Sequence, residues 1–299
     1  MNGAVVHYLT KPTFAPILLP NPYIEKVLTL RQSLWQTISM LRDEHYDAVV
    51  DLHHNQRTWF IKMALGVPHY SFQKLNFEKW LLTHLSINWL PKGVHIVDRY
   101  LATLQQWGIH NDGKGLDYFV PTEDQIDITS FFPHTKGQPY LAVAIGAAHA
   151  TKRLPTDKLI ELCKKTLLPI ILLGGKDDAP TGQIIAHAAG EHVVSACGQF
   201  NLHRSAWIVK QAQALVTPDT GLMHIAAAFD QHIISVWGST TPDFGMYPYL
   251  PLQNSKGLSH IVQVNSLSCR PCSKIGYDVC PKGHFRCMND LNMSDVLDL

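Results

Sequence analysis

The sequence predicts an α/β protein made of two doubly wound domains. Short β-branched runs alternate with segments whose apolar residues recur three and four positions apart, which is typical of parallel sheets covered by helices on both faces. A chain of 299 residues, 46% hydrophobic and 16% charged, can form a core in each of two domains. The alternation is broken between Pro121 and Pro139 by prolines and polar residues, so we divide the chain into domains of residues 1–133 and 134–299.

Each strand and helix is predicted from its own pattern. Six β-branched or apolar runs predict strands at residues 4–9, 48–52, 140–145, 170–173, 214–216 and 233–236. Three helices are predicted by apolar residues that recur on one face. They are marked by Leu34, Ile38 and Leu41, by Val97, Leu101 and Leu104, and by Leu159 and Leu162 with Thr166 one turn on. The first domain begins almost inside its first strand, and we expect that domain to be incomplete.

Composition excludes several classes of protein. Lys and Arg number 25 against 24 Asp and Glu, a formal charge of +1, which argues against a broad nucleic-acid surface. No apolar run approaches the roughly 20 residues of a membrane-spanning helix, and the N-terminal residues lack the features of a secretory signal. We therefore expect a soluble, cytoplasmic protein with six reduced cysteines. Partial protonation of its 17 histidines below neutral pH would favour anionic partners.

The segment from residue 214 to 242 is the strongest candidate for a binding site. A strand ends near Val216, a short turn follows, and a small-residue helix starts at Gly221. Such a helix points its free N–H groups at the carboxyl edge of the sheet, where anions bind. Gly221 would let a diphosphate approach the backbone, and Thr220 could donate a hydroxyl. Alternatively, Asp219 or Thr220 only caps the helix, and His224 fills a niche in the core.

Three further loops follow predicted strands and reach the same sheet edge. Gly238 and Thr240 suit phosphate oxygens or a sugar, Lys152 could place an ammonium on a phosphate, and Asp177 could accept hydrogen bonds from ribose hydroxyls. The alternatives are plain turns and, for Lys152 and Arg153, a solvated pair before a helix. None of these loops spells a dinucleotide-binding or P-loop motif, so dehydrogenases and P-loop NTPases are not supported.

Cysteines are concentrated near the end of the chain. A C-x2-C-x7-C-x6-C pattern with a neighbouring His284 could bind zinc, although its second pair is too widely spaced for an ordinary zinc knuckle. The alternative, which we favour, is that these cysteines pack a long loop, and we assign no metal. The four residues are Cys269, Cys272, Cys280 and Cys287. Cys163 and Cys197 are predicted to lie in the core.

These motifs together resemble a known family. DTGLMHIAA (219–227) followed by GSTTP (238–242) resembles the donor-site signature of the family 9 glycosyltransferases, the ADP-heptose:lipopolysaccharide heptosyltransferases. YDAVVDLHHNQRT, GAAHATKRLP, LLGGKDD and the cysteine-containing tail extend the resemblance along the chain. It implies a GT-B fold, in which two Rossmann-like domains face a cleft, with the donor on the C-terminal domain and the acceptor on the N-terminal one. It also implies inverting transfer of heptose from ADP-heptose to the lipopolysaccharide inner core.

The resemblance assigns donor contacts residue by residue. Phosphate, ribose and sugar contacts fall on Thr151, Lys152, Asp177, Asp219, Thr220, Gly221, His224, Gly238 and Thr240. The chemistry agrees, because a departing ADP gains negative charge that fixed N–H groups and an ammonium can stabilise. No cofactor is expected, and no D-x-D pair indicates a metal. The expected partners are an ADP-sugar, a lipopolysaccharide core acceptor and, peripherally, the inner membrane, without nucleic acid.

The catalytic base is the missing part of this assignment. Inversion needs a base for the acceptor hydroxyl, and in the family a carboxylate lies in an S-x-G-D segment that this sequence lacks. We therefore expect Met1 to be either a misassigned start or the start of a truncated, catalytically weak copy. Asp51 is the nearest substitute, although an Asp that ends a strand usually hydrogen-bonds locally.

Three residues of the first domain are candidates for contacts with the acceptor. His53, Arg57 and Arg99 are candidates for binding an acidic or phosphorylated acceptor, with scattered surface arginine as the competing interpretation. Two other functions stay open: another nucleotide-sugar transferase of the same fold, and a non-catalytic protein that binds a nucleotide sugar or a glycolipid.

Overall fold

The computed structural model describes residues 3–253 and 257–297 and has the predicted α/β architecture. The chain divides into two compact units. The first comprises Met1–Asn76 and Val94–Asp112, and the second comprises Phe77–Gly93 and Gly113–Leu299. None of the described helices is long and apolar enough to cross a membrane.

The first unit contains two short parallel sheets. Its strands, paired β1 with β2 and β3 with β4, are β1 (His7–Thr10), β2 (Lys26–Thr29), β3 (Val49–Asp51) and β4 (His69–Ser71). Its helices are α1 (Ala15–Leu18), α2 (Leu34–Arg42), α3 (Gln56–Leu65) and α5 (Ile96–Leu101), while α4 (Asn76–Leu85) leads into the second unit. The predicted doubly wound sheet of the first domain is thus represented by two separate strand pairs.

Local sequence explains the two longer helices of the first unit. Ser33 and Asn55 each begin a helix with a capping box, in which the side chain accepts a hydrogen bond from the backbone N–H three residues later. Helix α3 ends at Gly66, which has a φ of 67°. Ile38 and Ile61 belong to the small buried cluster between α2 and α3.

The second unit is built on one parallel sheet with strand order β10-β9-β8-β5-β6-β7. Its strands are β5 (Leu141–Ala144), β6 (Ile170–Leu173), β7 (Val193–Ser195), β8 (Ala214–Pro218), β9 (Ile233–Trp237) and β10 (Ser259–Gln263). Its remaining helices are α6 (Ile128–Phe131), α7 (Thr156–Lys165), α8 (Ala179–Ala189), α9 (Leu202–Gln211), α10 (Gly221–Ala228), α11 (Arg286–Asn289) and α12 (Ser294–Leu297). The chain order reverses between β5 and β8, which is where open parallel sheets bind ligands.

Both faces of this sheet are buried. Alternate residues of the central strands enter two hydrophobic clusters: Val143 and Leu172 belong to one, and Ala144 and Leu173 to the other. Every residue of β5 and β6 is buried, as expected for central parallel strands. The core therefore fixes the strand ends, from which the candidate site is built.

The predicted boundary at residue 133 differs from the division of the structure. Residues 113–133 belong to the second unit because they pack on α9, where Asp124 Oδ1 lies 3.1 Å from Arg204 Nε and Trp207 Nε1 donates to the Ile126 carbonyl at 2.9 Å. The polar, proline-containing interval is thus attached to the second unit.

Candidate functional site

The site lies where the loops after β5, β8 and β9 meet at the reversal of strand order. Lys152 follows β5, and its Nζ lies 2.7 Å from Asp219 Oδ2, which follows β8. Thr240, from the loop after β9, donates its hydroxyl to the same Asp219 oxygen at 3.0 Å. The exposed fractions of the Lys152 and Asp219 side chains are only 15% and 12%. Three residues that were predicted to contact the nucleotide sugar therefore contact one another, with the Asp219 carboxylate at the centre.

Helix α10 begins directly beside this carboxylate. Its N-cap residue, Thr220, makes no side-chain capping hydrogen bond to the helix, and its hydroxyl lies 3.2 Å from that of Thr217. Gly221 is exposed, and a Cβ atom added there would meet nothing within 4 Å. The first turn of α10 therefore lacks its usual side-chain cap and leaves open space where an anion could approach its N–H groups. The capping alternative for Thr220 is not realised.

His224 lies one turn further along α10. Burial lowers the pKa of His224, the charge of Lys152 lowers it further, and Asp219 opposes both effects. The lowered pKa favours a neutral imidazole at neutral pH. His224 can therefore take part in hydrogen bonding beside the Lys152–Asp219 pair without adding positive charge.

Thr151 and Gly238 connect the loops from behind. Thr151 is only 2% exposed, and its hydroxyl accepts hydrogen bonds from Ser239 Oγ at 2.9 Å and from the Tyr277 N–H at 2.8 Å. A Cβ atom on Gly238 would lie 2.6 Å from Met288 Cε and 2.8 Å from the Thr151 carbonyl oxygen. Both residues thus hold the loops together, and their direct contact with a donor stays a prediction.

The loop after β6 contains one residue that sequence reasoning missed. Asp177 is exposed, but its neighbour Asp178 accepts a hydrogen bond from the Gly175 N–H at 2.8 Å and lies 3.4 Å from Arg153 Nη1. Arg153 also donates twice to the Ala147 carbonyl, at 2.8 and 2.6 Å. The interpretation of Arg153 as a merely solvated residue is wrong, because its guanidinium ties the loop after β5 to the loop after β6.

Asp51, the candidate base, lies in the first unit at the end of β3. Its carboxylate is 2.8 Å from Lys62 Nζ and accepts hydrogen bonds from the backbone N–H groups of His53 and His54 at 3.0 and 2.7 Å. Burial alone would raise the pKa of Asp51, but the hydrogen bonds from Lys62 and these N–H groups lower it overall. Asp51 is 4% exposed. This geometry supports the local hydrogen-bonding role over catalysis.

The three candidate acceptor residues all belong to the first unit. The side chain of His53 is exposed in the loop between β3 and α3, and that of Arg57 is exposed in the first turn of α3. Arg99, on α5, donates to the Gln73 carbonyl at 3.2 Å, and burial lowers its pKa. His53 and Arg57 are accessible to a ligand, and all three acceptor roles stay predictions.

The cysteines show no assembled metal centre in residues 3–253 and 257–297, where no group of three or more His, Cys, Asp or Glu side chains could hold an ion. Cys269 Sγ lies 3.9 Å from His284 Nε2. Cys163 and Cys197 are buried, as predicted, and burial raises their pKa to about 12 and about 11. These two thiols are therefore inert core residues.

The second unit is an α/β domain with a parallel sheet, and the start of α10 and Lys152 lie where its strand order reverses. In α/β proteins of this class that place is the usual position of a binding site for phosphorylated ligands. Residues 31–277 match glycosyltransferase family 9 (heptosyltransferase). The chain belongs to this family, and its fold is of the GT-B class.

The chain is similar in sequence to two heptosyltransferases and in fold to the solved structure of a third. The chain is 25% identical over 219 residues to lipopolysaccharide heptosyltransferase 2 of Salmonella typhimurium, covering 68% of this chain and 63% of that enzyme. It is 30% identical over 256 residues to lipooligosaccharide heptosyltransferase 2 of Haemophilus ducreyi, covering 77% and 73%. The structure of E. coli ADP-heptose lps heptosyltransferase II superposes with a TM-score of 0.66 at 18% identity, covering 100% and 91%. The chain thus spans less than two thirds of the Salmonella enzyme.

Proposed function

We propose that this protein is an inverting glycosyltransferase that transfers heptose from ADP-heptose to the inner core of lipopolysaccharide. The proposal rests on one observation, the cluster of Lys152, Asp219, Thr240 and His224 beside the uncapped start of α10. The family, and the heptosyltransferase names of its relatives, support heptose as the sugar and lipopolysaccharide as the acceptor.

Stabilisation of the leaving group uses side chains and N–H groups that are already in place, whereas no described residue is assigned as the base that takes the proton of the acceptor hydroxyl. As the glycosidic bond breaks, the departing diphosphate gains negative charge. The Lys152 ammonium and the first N–H groups of α10 would stabilise that charge without reorganisation. Lys152 has three N–H donors, so it can keep its contact with Asp219 while donating to a phosphate oxygen. No step in this scheme requires a cofactor.

Donor identity and turnover need separate experiments. Calorimetric titration with ADP, UDP and GDP tests the nucleotide, and we expect ADP to bind most tightly. Acceptor-dependent release of ADP from ADP-heptose then tests transfer to a lipopolysaccharide core acceptor. Equal affinity for the three nucleotides would contradict the ADP assignment and favour another nucleotide-sugar transferase of the same fold.

One observation favours a second candidate, a non-catalytic protein that binds a nucleotide sugar. Asp51 is held by Lys62 and by two backbone N–H groups, which leaves it poorly suited to accept a proton from an acceptor hydroxyl. Binding of ADP-heptose without any acceptor-dependent ADP release would support this candidate and would contradict the transferase.

We also propose that the reaction takes place at the cytoplasmic face of the inner membrane, with peripheral contact between the protein and the lipid. Phe77, Trp80 and Trp89 are exposed. The centroid of the Phe77 ring lies 6.4 Å from that of Trp80 and 6.4 Å from that of Trp89. Leu85 and Ile87 beside them are also exposed. Tryptophan favours the membrane–water interface, so this aromatic patch suits the surface of a bilayer.

Vesicle sedimentation tests the aromatic patch directly. Trp89→Ala is expected to reduce binding to vesicles that contain anionic phospholipid, because it removes an exposed indole from the patch. Trp35→Ala is the matched control, since Trp35 is 76% exposed in the first unit, outside the patch. Equal vesicle binding by the wild type and both variants would contradict membrane contact through these residues.

A further inference from the structure

A loop near the end of the chain holds the backbone of the loop after β9. Residues 269–277, here called the tail loop, contain Arg270, whose guanidinium donates to the carbonyl oxygens of Gly238 at 2.6 Å and Thr240 at 2.9 Å. The backbone N–H of Cys272 donates to the carbonyl oxygen between them, that of Ser239, at 3.0 Å. Three successive carbonyl groups of the loop after β9 are thus bound by the tail loop.

The direction of these carbonyl groups matters for an anion site. Carbonyl oxygens repel phosphate, so a loop that binds a diphosphate has to turn them away and present N–H and hydroxyl groups instead. The Thr240 carbonyl is held by Arg270, whereas the Thr240 hydroxyl donates to Asp219, the partner of Lys152. One residue therefore connects the tail loop with the candidate donor site.

Arg270 is itself held firmly in place. Its guanidinium makes two more hydrogen bonds, to the Val264 carbonyl at 2.8 Å and to Gln263 Oε1 at 3.0 Å. Burial lowers the pKa of Arg270, and the four hydrogen bonds offset the cost of burying its charge. A lysine could not reproduce this arrangement, because a single ammonium lacks the planar fork of donors.

We propose that Arg270 is a positioning residue for the donor: it fixes the loop after β9 so that Thr240 holds Asp219, and Asp219 in turn holds the Lys152 ammonium toward the diphosphate. The inference deepens the proposed function and, in naming the donor, rests on it. The tail loop then has a structural role that the spacing of its cysteines does not indicate. It places Arg270 and the Cys272 N–H against the carbonyl groups of the loop after β9.

The test compares Arg270→Lys with Arg286→Lys. Arg286 is the matched control because it lies just beyond the tail loop, its side chain is 59% exposed, and it pairs with Asp290 at 2.7 Å. In hydrogen exchange, Arg270→Lys is expected to speed exchange of the amides at residues 238–241 about tenfold, the loss expected for a hydrogen bond to a charged group. ADP affinity, measured where both variants are fully folded, is expected to fall by about tenfold as well.

A double-mutant cycle separates positioning from a general loss of stability. Thr240→Val removes the hydroxyl that binds Asp219, and if Arg270 acts through this loop, the effects of the two substitutions on ADP affinity will be less than additive. Gln263→Leu, which removes one partner of the guanidinium, serves as the milder variant if Arg270→Lys does not fold. It is expected to speed exchange at residues 238–241 to a smaller degree.

The outcomes are distinguishable. Unchanged exchange at residues 238–241 in Arg270→Lys, or in Gln263→Leu where that variant is needed, would overturn the inference. Faster exchange with unchanged ADP affinity would also overturn it, because the loop would then not position the donor. If the wild type binds no ADP but exchange still rises in the variant, the proposed donor is wrong, while the hold of Arg270 on the loop is supported.

Discussion

At the scale of single residues, Asp219 links parts of the candidate site that are far apart in the sequence. Its carboxylate pairs with Lys152 of the loop after β5 and accepts a hydrogen bond from Thr240 of the loop after β9. Because the pair is largely shielded from water, its electrostatic attraction is stronger than that of a surface pair. The ammonium is therefore already ordered before a ligand arrives, which lowers the entropic cost of binding a phosphate.

Replacing Lys152 by Ala tests this ordering. The substitution removes a charged donor and leaves Asp219 without its cation, so ADP affinity is expected to fall by about 1.5 to 3 kcal/mol, or about 10- to 150-fold. Calorimetric titration measures the change, with Lys164→Ala as the control because Lys164 is exposed on α7. Unchanged affinity in Lys152→Ala would remove this lysine from the site.

Gly221→Ala tests the approach of the diphosphate to the backbone. The added methyl group meets open space in the protein, so the free energy of unfolding is expected to stay within about 1 kcal/mol of the wild type. The same methyl group would occupy space that the diphosphate needs, at a cost of about 1 to 3 kcal/mol in ADP affinity. Thermal unfolding and calorimetry measure the two effects, and equal losses in both would contradict a role specific to the ligand.

At the scale of strands and helices, the two units differ in how their sheets are supported. The six strands of the second unit form one sheet, whose central strands β5 and β6 are buried throughout. The first unit has two sheets of two strands each, and their residues are mostly half-exposed. Two-stranded sheets are only marginally stable without further support. The first unit therefore relies on the packing of α2 against α3.

Hydrogen exchange followed by mass spectrometry is expected to separate these sheets. Amides in β5, β6, β8 and β9 should be the most strongly protected, whereas those in β1 to β4 should exchange through local opening at lower free energy. The helices α2 and α3 provide an internal comparison within the first unit. Equal protection of the amides in β1 and β5 would contradict the prediction, because it would mean that contacts other than strand pairing stabilise the two-stranded sheets.

Sequence patterns predicted the strands that contain clear β-branched or apolar runs and missed strands that are shorter or more polar. All six predicted strands exist, but β2, β4, β7 and β10 were not predicted, since they are short or carry polar residues. The loops of the candidate site could be predicted because they follow buried strands. The roles of Asp178 and Arg270 could not, because Arg153, which pairs with Asp178, and the Gly238 carbonyl, which Arg270 binds, lie in other loops, and pairing between distant segments leaves no local pattern.

At the scale of the whole molecule, the formal charges nearly balance when histidine is counted as neutral, so the pH dependence near neutrality depends on the histidines. His134, His224 and His232, all in the second unit, have pKa values lowered mainly by burial. In the unfolded chain each of them would titrate near the ordinary value of 6.5. The folded protein therefore binds fewer protons than the unfolded chain just below neutral pH, and protonation favours unfolding.

The stability of the second unit is therefore expected to fall as the pH is lowered from 7 toward 5.5. Each group whose folded pKa lies below its unfolded value contributes stability that is complete above 6.5 and is lost as the unfolded chain takes up protons, at up to about 1.4 kcal/mol per pH unit for each proton. Urea unfolding at several pH values measures the slope. His134→Gln should flatten it, because this variant lacks one of the three histidines whose pKa is lowered. A free energy of unfolding that stays constant across this range would contradict neutral burial of these histidines.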